Sequence, residues 1–283
     1  MQQWTIGDVK ITKVIETEGP TPAKFLFAGP KDEAIAAHAD WLKPHFMKTP
    51  QLFIASVHAL VLESCGKRIV VDTCVGNDEQ RSNPHWNLRQ GPFLRDLAAA
   101  GFPRESINLV VCTHPHVDHV GWNTMRDNER WVPTFPNARY LFARSEWEYW
   151  SRQIDIADGD VQGDSVRPVI EAGLADLVEP VHRLTDDIHL EPTPGHTPGH
   201  VSVRIDSRGQ RGVITGDLMH HPVPCAEHQW ASRFDVDAEL ARETLRGFLE
   251  RCEDDGSLVL GTHFATPTAG HIVRHGSTWR FRV

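Results

Sequence analysis

The sequence predicts a layered α/β protein with helices packed outside β-sheets. Short apolar runs typical of strands come first, and strand and helix patterns then alternate along the chain. Neither an internal repeat nor a Ser/Gly-rich linker divides the 283 residues. A chain of this length can bury about three quarters of its unfolded surface and needs no disulfides to fold. We therefore expect one domain over residues 1–283.

Strand patterns dominate the N-terminal part. Residues 3–17 alternate and contain β-branched side chains, and the apolar runs 57–63 and 68–73 are joined by SCGK, which is a hairpin pattern. Residues 20–56 differ because five prolines interrupt them, and Lys31–Leu42 is compatible with one short helix. We interpret 20–56 as an insertion that lies over the domain and as a candidate homodimer surface.

The rest of the chain alternates between the two patterns. Ser145, with Glu148 three residues later, is a candidate helix cap. The predicted strands are 107–113, 139–143, 189–192, 201–206, 211–216 and 257–260. The predicted helices are 92–100, the one capped by Ser145, 165–177 and 237–252.

Composition and charge indicate which classes of partner the protein is expected to bind. The chain has 29 Lys plus Arg and 38 Asp plus Glu, a net charge of −9 without a basic cluster, so nucleic acid is not expected as a partner. No apolar run approaches the ~20 residues of a membrane span, and the N-terminus lacks the pattern of a signal peptide. The five cysteines are scattered and odd in number, which favours reduced thiols. We expect a cytoplasmic protein without membrane association.

Histidine is the unusual residue type, with 17 copies. In the string THPHVDHVG at 113–121, four candidate ligands, three His and one Asp, fall within six residues directly after a predicted buried strand. His114 and His116 point the same way if the chain is extended, whereas a turn after Val117 would direct Asp118 and His119 elsewhere. One short segment can thus serve two adjacent metal sites, which a chance surface loop would not explain.

Three further candidate ligands follow predicted strands: His196, Asp217 and His263. Neutral imidazole and carboxylate are groups that bind Zn²⁺, and a catalytic zinc commonly has three protein ligands and a water. The motif alone supplies two ligands for each metal, so these later residues are expected to complete both sites.

With His196, Asp217 and His263 following in order, the string at 113–121 resembles the metallo-β-lactamase superfamily, and the resemblance covers about Val57–His263. It implies an αββα sandwich of two mixed β-sheets flanked by helices, with the metals at one edge. By residue type and order it implies that one metal is held by His114, His116 and His196, that the other is held by Asp118, His119 and His263, and that Asp217 bridges them.

The resemblance also implies supporting residues and a metal. Asp72 matches an acidic motif that orients the metal loop by hydrogen bonds, and we expect His200 to hydrogen-bond the loop of His196. His116 stands where the diiron oxygen-reducing branch has Glu. A dinuclear hydrolase with two Zn²⁺ per chain is therefore favoured, with Mn, Fe or Co as other candidates.

Substrate contacts are expected around the bridging Asp217. His220 stands where similar quorum-quenching lactonases have a Tyr that contacts the substrate carbonyl, and two interpretations stay open: a proton donor or a surface residue. Trp122, Phe264 and His221 are candidates for the pocket lining, and Trp86 for a lid.

These features predict that a metal-bridging hydroxide attacks the carbonyl of a small ester or lactone. Either Asp118 or His220 would pass a proton to the leaving group. The absence of a basic cluster disfavours a nuclease or a glutathione thioesterase. A phosphotriester hydrolase and a mononuclear iron persulfide dioxygenase on the same scaffold remain as alternatives.

Overall fold

The computed structural model describes residues 2–153 and 158–283. The strands are β1 (Gln2–Ile6), β2 (Val9–Pro22), β3 (Met47–Thr49), β4 (Leu52–Ser64), β5 (Lys67–Val71), β6 (Leu109–Cys112), β7 (Thr124–Asp127), β8 (Arg130–Pro133), β9 (Arg139–Ala143), β10 (Ala175–Val178), β11 (Ile188–Pro192), β12 (Val201–Ser207), β13 (Gln210–Ile214), β14 (Leu258–Leu260), β15 (Ala269–His275) and β16 (Thr278–Arg282). The helices are α1 (Ala23–Leu26), α2 (Asp32–Ala36), α3 (Ala39–Leu42), α4 (Phe93–Ala99), α5 (Val117–Val120), α6 (Arg144–Trp150), α7 (Arg167–Glu171) and α8 (Ala238–Asp255).

Two large mixed sheets and a small hairpin account for the strands of the described residues. The first sheet has the order β1-β2-β4-β5-β6-β9-β10, with β3 paired to β4, and β5, β6, β9 and β10 run parallel. The second has the order β11-β12-β13-β14-β15-β16, with a parallel pair at β13 and β14. The hairpin is β7-β8. The predicted α/β class is confirmed.

A buried apolar layer joins the two large sheets. Side chains of the first sheet, such as Leu62 and Val111, pack in one cluster with Val203 and Leu260 of the second. Because side chains alternate along a strand, the opposite face of each sheet needs its own cover. Helix α4 packs on the outer face of the first sheet, and α8 packs on the outer face of the second. The layers are thus helix, sheet, sheet, helix, which is the expected sandwich.

Segment 20–56 begins and ends within the first sheet. Strands β2 and β4 pair as far as Pro22 opposite Leu52, so residues 20–22 and 52–56 belong to strands. The helices between them pack with α8 and the outer face of the second sheet through Leu26, Phe27 and Phe46.

Three local predictions were wrong. Lys31–Leu42 forms two helices, α2 and α3, and not one. His38 lies between them, and its Nε2 is 2.8 Å from Oε1 of Glu227, a residue far away in the sequence. Segment 165–177 ends its helix at Glu171 because Gly173 has a φ of 72°, and it continues as strand β10. Ser145 lies inside the first turn of α6, which begins one residue earlier, and does not cap it.

None of the helices within the described residues combines the length and the apolar character needed to cross a bilayer.

Candidate metal centre

The histidine-rich string lies where strand β6 leaves the first sheet. His114 and His116 precede the single-turn helix α5, which contains Asp118 and His119. The second sheet supplies the other three residues from loops at the same edge. His196 lies between β11 and β12, Asp217 follows β13 and His263 follows β14.

The structure brings all seven predicted ligands together. Asp217 contacts members of both predicted groups: its Oδ2 lies 3.2 Å from His119 Nε2 and 3.4 Å from His196 Nε2, and its Oδ1 lies 3.1 Å from His263 Nε2. In each group the potential ligand atoms lie within 4.8 Å of one another. The groups are His114, His116, His196 and Asp217, and Asp118, His119 and His263.

Hydrogen bonds on the far side of each ring assign the imidazole protons. His119 Nδ1 lies 2.9 Å from Asp72 Oδ2, His196 Nδ1 lies 3.0 Å from Asp235 Oδ1, and His263 Nδ1 lies 3.0 Å from the carbonyl oxygen of Ser56. Since these oxygens only accept, each Nδ1 donates, and each ring, when neutral, has its lone pair on Nε2. All three lone pairs then face the carboxylate of Asp217.

This arrangement fits metal cations. Lone pairs and a carboxylate repel each other unless a proton or a metal cation lies between them. His114 Nε2 is also buried and has no hydrogen-bond partner within residues 2–153 and 158–283. A buried polar atom without a partner is costly, and coordination of a cation would satisfy it. The donor set of imidazole nitrogens and carboxylate oxygens suits zinc.

Electrostatics divide the candidate ligands into two sets. Burial would lower the pKa of His119 and His263, but the surrounding carboxylates, Asp217 first, raise it, so a metal competes with protons for these two rings. The other candidate ligands with shifted pKa values are held in states that bind metals. Burial, together with neighbouring imidazoles, lowers the pKa of His114 and His196 well below the ordinary value, and burial lowers that of His116 to about 4. Burial alone would raise the pKa of Asp217, but the surrounding histidines, His119 first, hold it well below its usual range. Neutral imidazoles and an ionised carboxylate are the protonation states that bind metals.

Asp72 supports the loop as predicted. Its Oδ1 accepts from the backbone N–H of Thr113 at 2.8 Å, and its Oδ2 accepts from Thr113 Oγ1 at 2.9 Å as well as from His119. Asp72 has a φ of 55°, a costly conformation for a non-glycine residue. Gly121 ends the motif because a Cβ there would lie 1.8 Å from the carbonyl oxygen of Val75. The string therefore includes four candidate ligands together with Thr113 and Gly121, which shape its loop.

His200 connects two loops of the centre. Its Nδ1 donates to the carbonyl oxygen of Thr193 at 3.0 Å, at the start of the His196 loop, and its Nε2 accepts from the backbone N–H of Asp217 at 2.8 Å. Burial lowers the pKa of His200 to about 3, so the ring is neutral and can do both. Its bond to Asp217 was not expected from the sequence.

His220 lies at the centre and not on the surface. Only 5% of the residue is exposed, its Nε2 lies 3.1 Å from Asp217 Oδ2, and its ring stacks on that of His263 with centroids 5.6 Å apart. The surface interpretation is therefore wrong. Its role as a proton donor stays a prediction.

The three residues predicted to line the pocket pack elsewhere. Trp122 stacks on Phe93, and its Nε1 donates to Glu16. Phe264 is fully buried among core aromatic rings. His221 stacks on Phe53 and donates from Nε2 to the carbonyl oxygen of Phe46. Each follows a residue of the motif or of the centre in the sequence, but its side chain packs into the core.

Sequence reasoning missed three residues that do lie at the centre. Asp235 hydrogen-bonds His196 as described, Trp150 has its ring 5.2 Å from that of His116, and Phe234 has its ring 5.8 Å from that of His220. None of them belongs to a local motif. A short polar segment such as SRFD at 232–235 gives no indication that it folds onto a histidine 39 residues away.

Comparisons with known proteins agree with this geometry. The model of the metallo-beta-lactamase superfamily matches residues 54–263. The N-acyl homoserine lactonase AttM of Rhizobium radiobacter is 29% identical over 113 residues, which are 38% of this chain and 40% of that protein. The probable metallo-hydrolase Mb2322c of Mycobacterium bovis is 24% identical over 195 residues, 58% of this chain and 57% of that protein. The alignments thus span about half the length of these relatives.

Two solved structures resemble the whole chain. AidC, described as a dizinc quorum-quenching lactonase in complex with a product, superposes with a TM-score of 0.81 at 18% identity and covers 99% of this chain and 96% of its own. The hydrolase AbOPH superposes with a TM-score of 0.80 at 21% identity, with the same coverage. At these identities the likeness establishes the fold.

Proposed function

The chain belongs to the metallo-beta-lactamase superfamily, and from this premise we propose that it is a dinuclear zinc hydrolase of small esters or lactones. The shared carboxylate of Asp217 is the observation that carries the proposal. It lies within 3.4 Å of histidines from both ligand groups, which is the arrangement of a residue that bridges two cations.

We assign one zinc to His114, His116 and His196, and the other to Asp118, His119 and His263. When bound, a pair of zinc ions supplies Lewis acidity that activates water near neutral pH and polarises a carbonyl oxygen. The chain itself then has to orient the ligands, admit the substrate and move one proton. The ligands are oriented by hydrogen bonds that fix the histidine tautomers, and the acceptors are Asp72, Asp235 and the carbonyl oxygen of Ser56.

Two residues are placed to supply the proton for the leaving alkoxide. Asp118 is more exposed than the other carboxylate of the centre, Asp217, and so lies on the open side. His220 is less exposed, but its Nε2 lies 3.1 Å from Asp217 Oδ2, beside the centre. A proton held on either group can be delivered to an oxygen that leaves beside the centre.

The surroundings of the centre support a small apolar substrate. Trp150 beside His116 and Phe234 beside His220 are apolar neighbours of the ligands. A polyanionic substrate would need a basic cluster, which the sequence lacks. AttM and AidC are both described as lactonases, which supports a lactone as the first substrate to test.

The test uses zinc-loaded protein and four substrate classes: γ-butyrolactone, N-hexanoyl-homoserine lactone, p-nitrophenyl acetate and the phosphotriester paraoxon. We expect hydrolysis of a lactone or carboxylic ester that exceeds that of the phosphotriester. His263→Asn should abolish it, while His275→Asn, which alters an exposed histidine outside the centre, should leave it unchanged. Failure to hydrolyse any lactone or carboxylic ester, or full activity of His263→Asn, would contradict the proposal.

A further inference from the structure

Two phenylalanines break the burial pattern of the chain. Of its 12 phenylalanines, all are buried except Phe25 and Phe234, which are 41% and 37% exposed. These two rings touch each other edge to face, with centroids 5.1 Å apart. Single exposed apolar residues are common, but adjacent exposed aromatic rings are typical of binding surfaces.

The pair lies beside the candidate metal centre. The Phe234 ring is 5.8 Å from the His220 ring, and His220 in turn approaches the Asp217 carboxylate. Phe234 therefore lies one imidazole ring away from the ligand cluster, and Phe25 continues the apolar surface outward. Val236, which is 47% exposed, extends the same segment.

Hydrogen bonds on both sides hold the segment that contains Phe234. On one side, the N–H of Arg233 donates to the carbonyl oxygen of Leu26 at 2.9 Å, and Ser232 forms a β-bridge with Phe27. These bonds tie segment 232–236 to helix α1, which contains Phe25. The two rings are thus fixed relative to each other by backbone contacts and not only by their own packing.

On the other side, the segment is tied to a metal ligand. The N–H of Val236 donates to the carbonyl oxygen of His196 at 2.9 Å, and Asp235 accepts from the His196 ring. Asp235 thus faces the centre from between Phe234 and Val236. A rigid apolar surface at a fixed place beside the metal ligands is what a specificity subsite requires.

We propose that Phe25 and Phe234 bind the apolar chain of the substrate, the acyl or alkyl chain attached next to the scissile ester or lactone. This inference rests on the proposed function and names the substrate class more closely. The occupant is a flexible hydrocarbon chain, because the surface is aromatic, exposed and adjacent to the centre. The pair would then determine chain-length preference without taking part in the chemistry.

The experiment measures kcat/KM for N-acyl homoserine lactones with acyl chains from butanoyl to decanoyl. Burial of one methylene group is equivalent to a gain of about fourfold, so the wild type should prefer longer chains over several methylene steps. Phe234→Ala should flatten this dependence, with a loss of at least tenfold for the decanoyl substrate and a small effect for the butanoyl one. Phe234→Leu should restore part of it, and Val181→Ala, at an exposed valine outside the pair, should match the wild type.

A binding measurement separates this proposal from the proposed function. Isothermal titration of the ring-opened compounds N-butanoyl- and N-decanoyl-homoserine reports chain recognition without turnover. The wild type should bind the decanoyl compound more tightly, and Phe234→Ala should remove the difference. If the protein hydrolyses no lactone but shows this chain-length effect in binding, the proposed function fails and the apolar subsite stands. If turnover occurs and neither measurement depends on chain length, or Phe234→Ala changes neither, the subsite is refuted.

Discussion

Replacement of Asp72 by Asn tests how the centre is held together. The change preserves the size of the side chain but replaces one oxygen by an NH₂ group. In the wild type Oδ2 accepts two hydrogen bonds, from Thr113 Oγ1 and His119 Nδ1, both at 2.9 Å, and Oδ1 accepts one from the Thr113 N–H. Whichever way the amide is oriented, its NH₂ group faces at least one donor and cannot accept from it.

The expected cost follows from these bonds. With Oδ1 kept on the Thr113 N–H, two bonds to a buried charged acceptor are lost, each contributing about 1.5–3 kcal/mol. Rotation of the Thr113 hydroxyl recovers part of this, so we expect a loss of about 3 kcal/mol in the free energy of unfolding. His119 can avoid the clash only by moving its proton to Nε2, the nitrogen that faces Asp217. Zinc affinity should then fall about 10- to 100-fold.

The assay has two parts and a matched control. Urea unfolding of the metal-free protein gives the stability change, and competition with a chelator gives the zinc affinity. Asp186→Asn makes the same chemical change at a side chain that is 93% exposed and should alter neither quantity. If Asp72→Asn lies within about 1 kcal/mol of the wild type and binds zinc equally well, Asp72 does not orient the loop in the way described.

Three further changes test other parts of the account. His220→Phe keeps a ring to stack on His263 but removes the ring nitrogens, so kcat should fall at least ~10-fold with unchanged metal content; unchanged kcat would exclude His220 as the proton donor. Gly121→Ala should reduce the melting temperature strongly, because its Cβ would meet the carbonyl oxygen of Val75, and a normal melting curve would refute the close approach. Glu79 is fully buried, neither of its oxygens has a hydrogen-bond partner in the part of the chain that the structure describes, and burial raises its pKa to about 9. The folded protein therefore keeps a proton on Glu79 that the unfolded chain releases near pH 4.5. As a result, the free energy of unfolding of the wild type falls by about 1.4 kcal/mol per pH unit between pH 4.5 and about pH 9. Glu79→Gln should remove this dependence and be the more stable protein at pH 8 in urea unfolding, with little difference at pH 5; parallel pH profiles would refute the assignment.

The seven candidate metal ligands, which the structure brings together, could be identified from the sequence. The string at 113–121 contains four of the seven, and the strand before it determines where they emerge. His196, Asp217 and His263 each follow a short apolar run, and the runs become strands whose ends meet at one edge of the sandwich. Strand patterns placed these candidates, and the resemblance to the metallo-β-lactamase superfamily divided them between two metals.

The pocket could not be predicted in the same way. Trp122, Phe264 and His221 were chosen because they adjoin functional residues along the chain, yet adjacency does not determine where a side chain points. The exposed aromatic pair beside His220 consists instead of Phe25 and Phe234, which are 209 residues apart and are brought together by contacts between the insertion and segment 232–236. Long-range pairing of this kind leaves no periodic pattern.

Some strands were also missed. Strands β15 and β16 follow the last candidate ligand, and their sequence AGHIVRHGSTWRFR alternates apolar and polar residues around Gly276, a hairpin pattern that was not assigned. Strand β10 lies directly after a helix and pairs with β9, so its conformation depends on a neighbour and not on its own pattern. Local propensity is weaker than such pairing.

The metal content of the protein tests the central claim most directly. Elemental analysis of wild-type protein purified without added metal should give about two divalent metal ions per chain. After removal of the metal, titration with zinc should give the same stoichiometry. Asp217→Ala should hold fewer, because its carboxylate approaches ligands of both groups. One iron ion per chain, with oxygen uptake on a persulfide substrate, would contradict the dinuclear hydrolase and favour a dioxygenase.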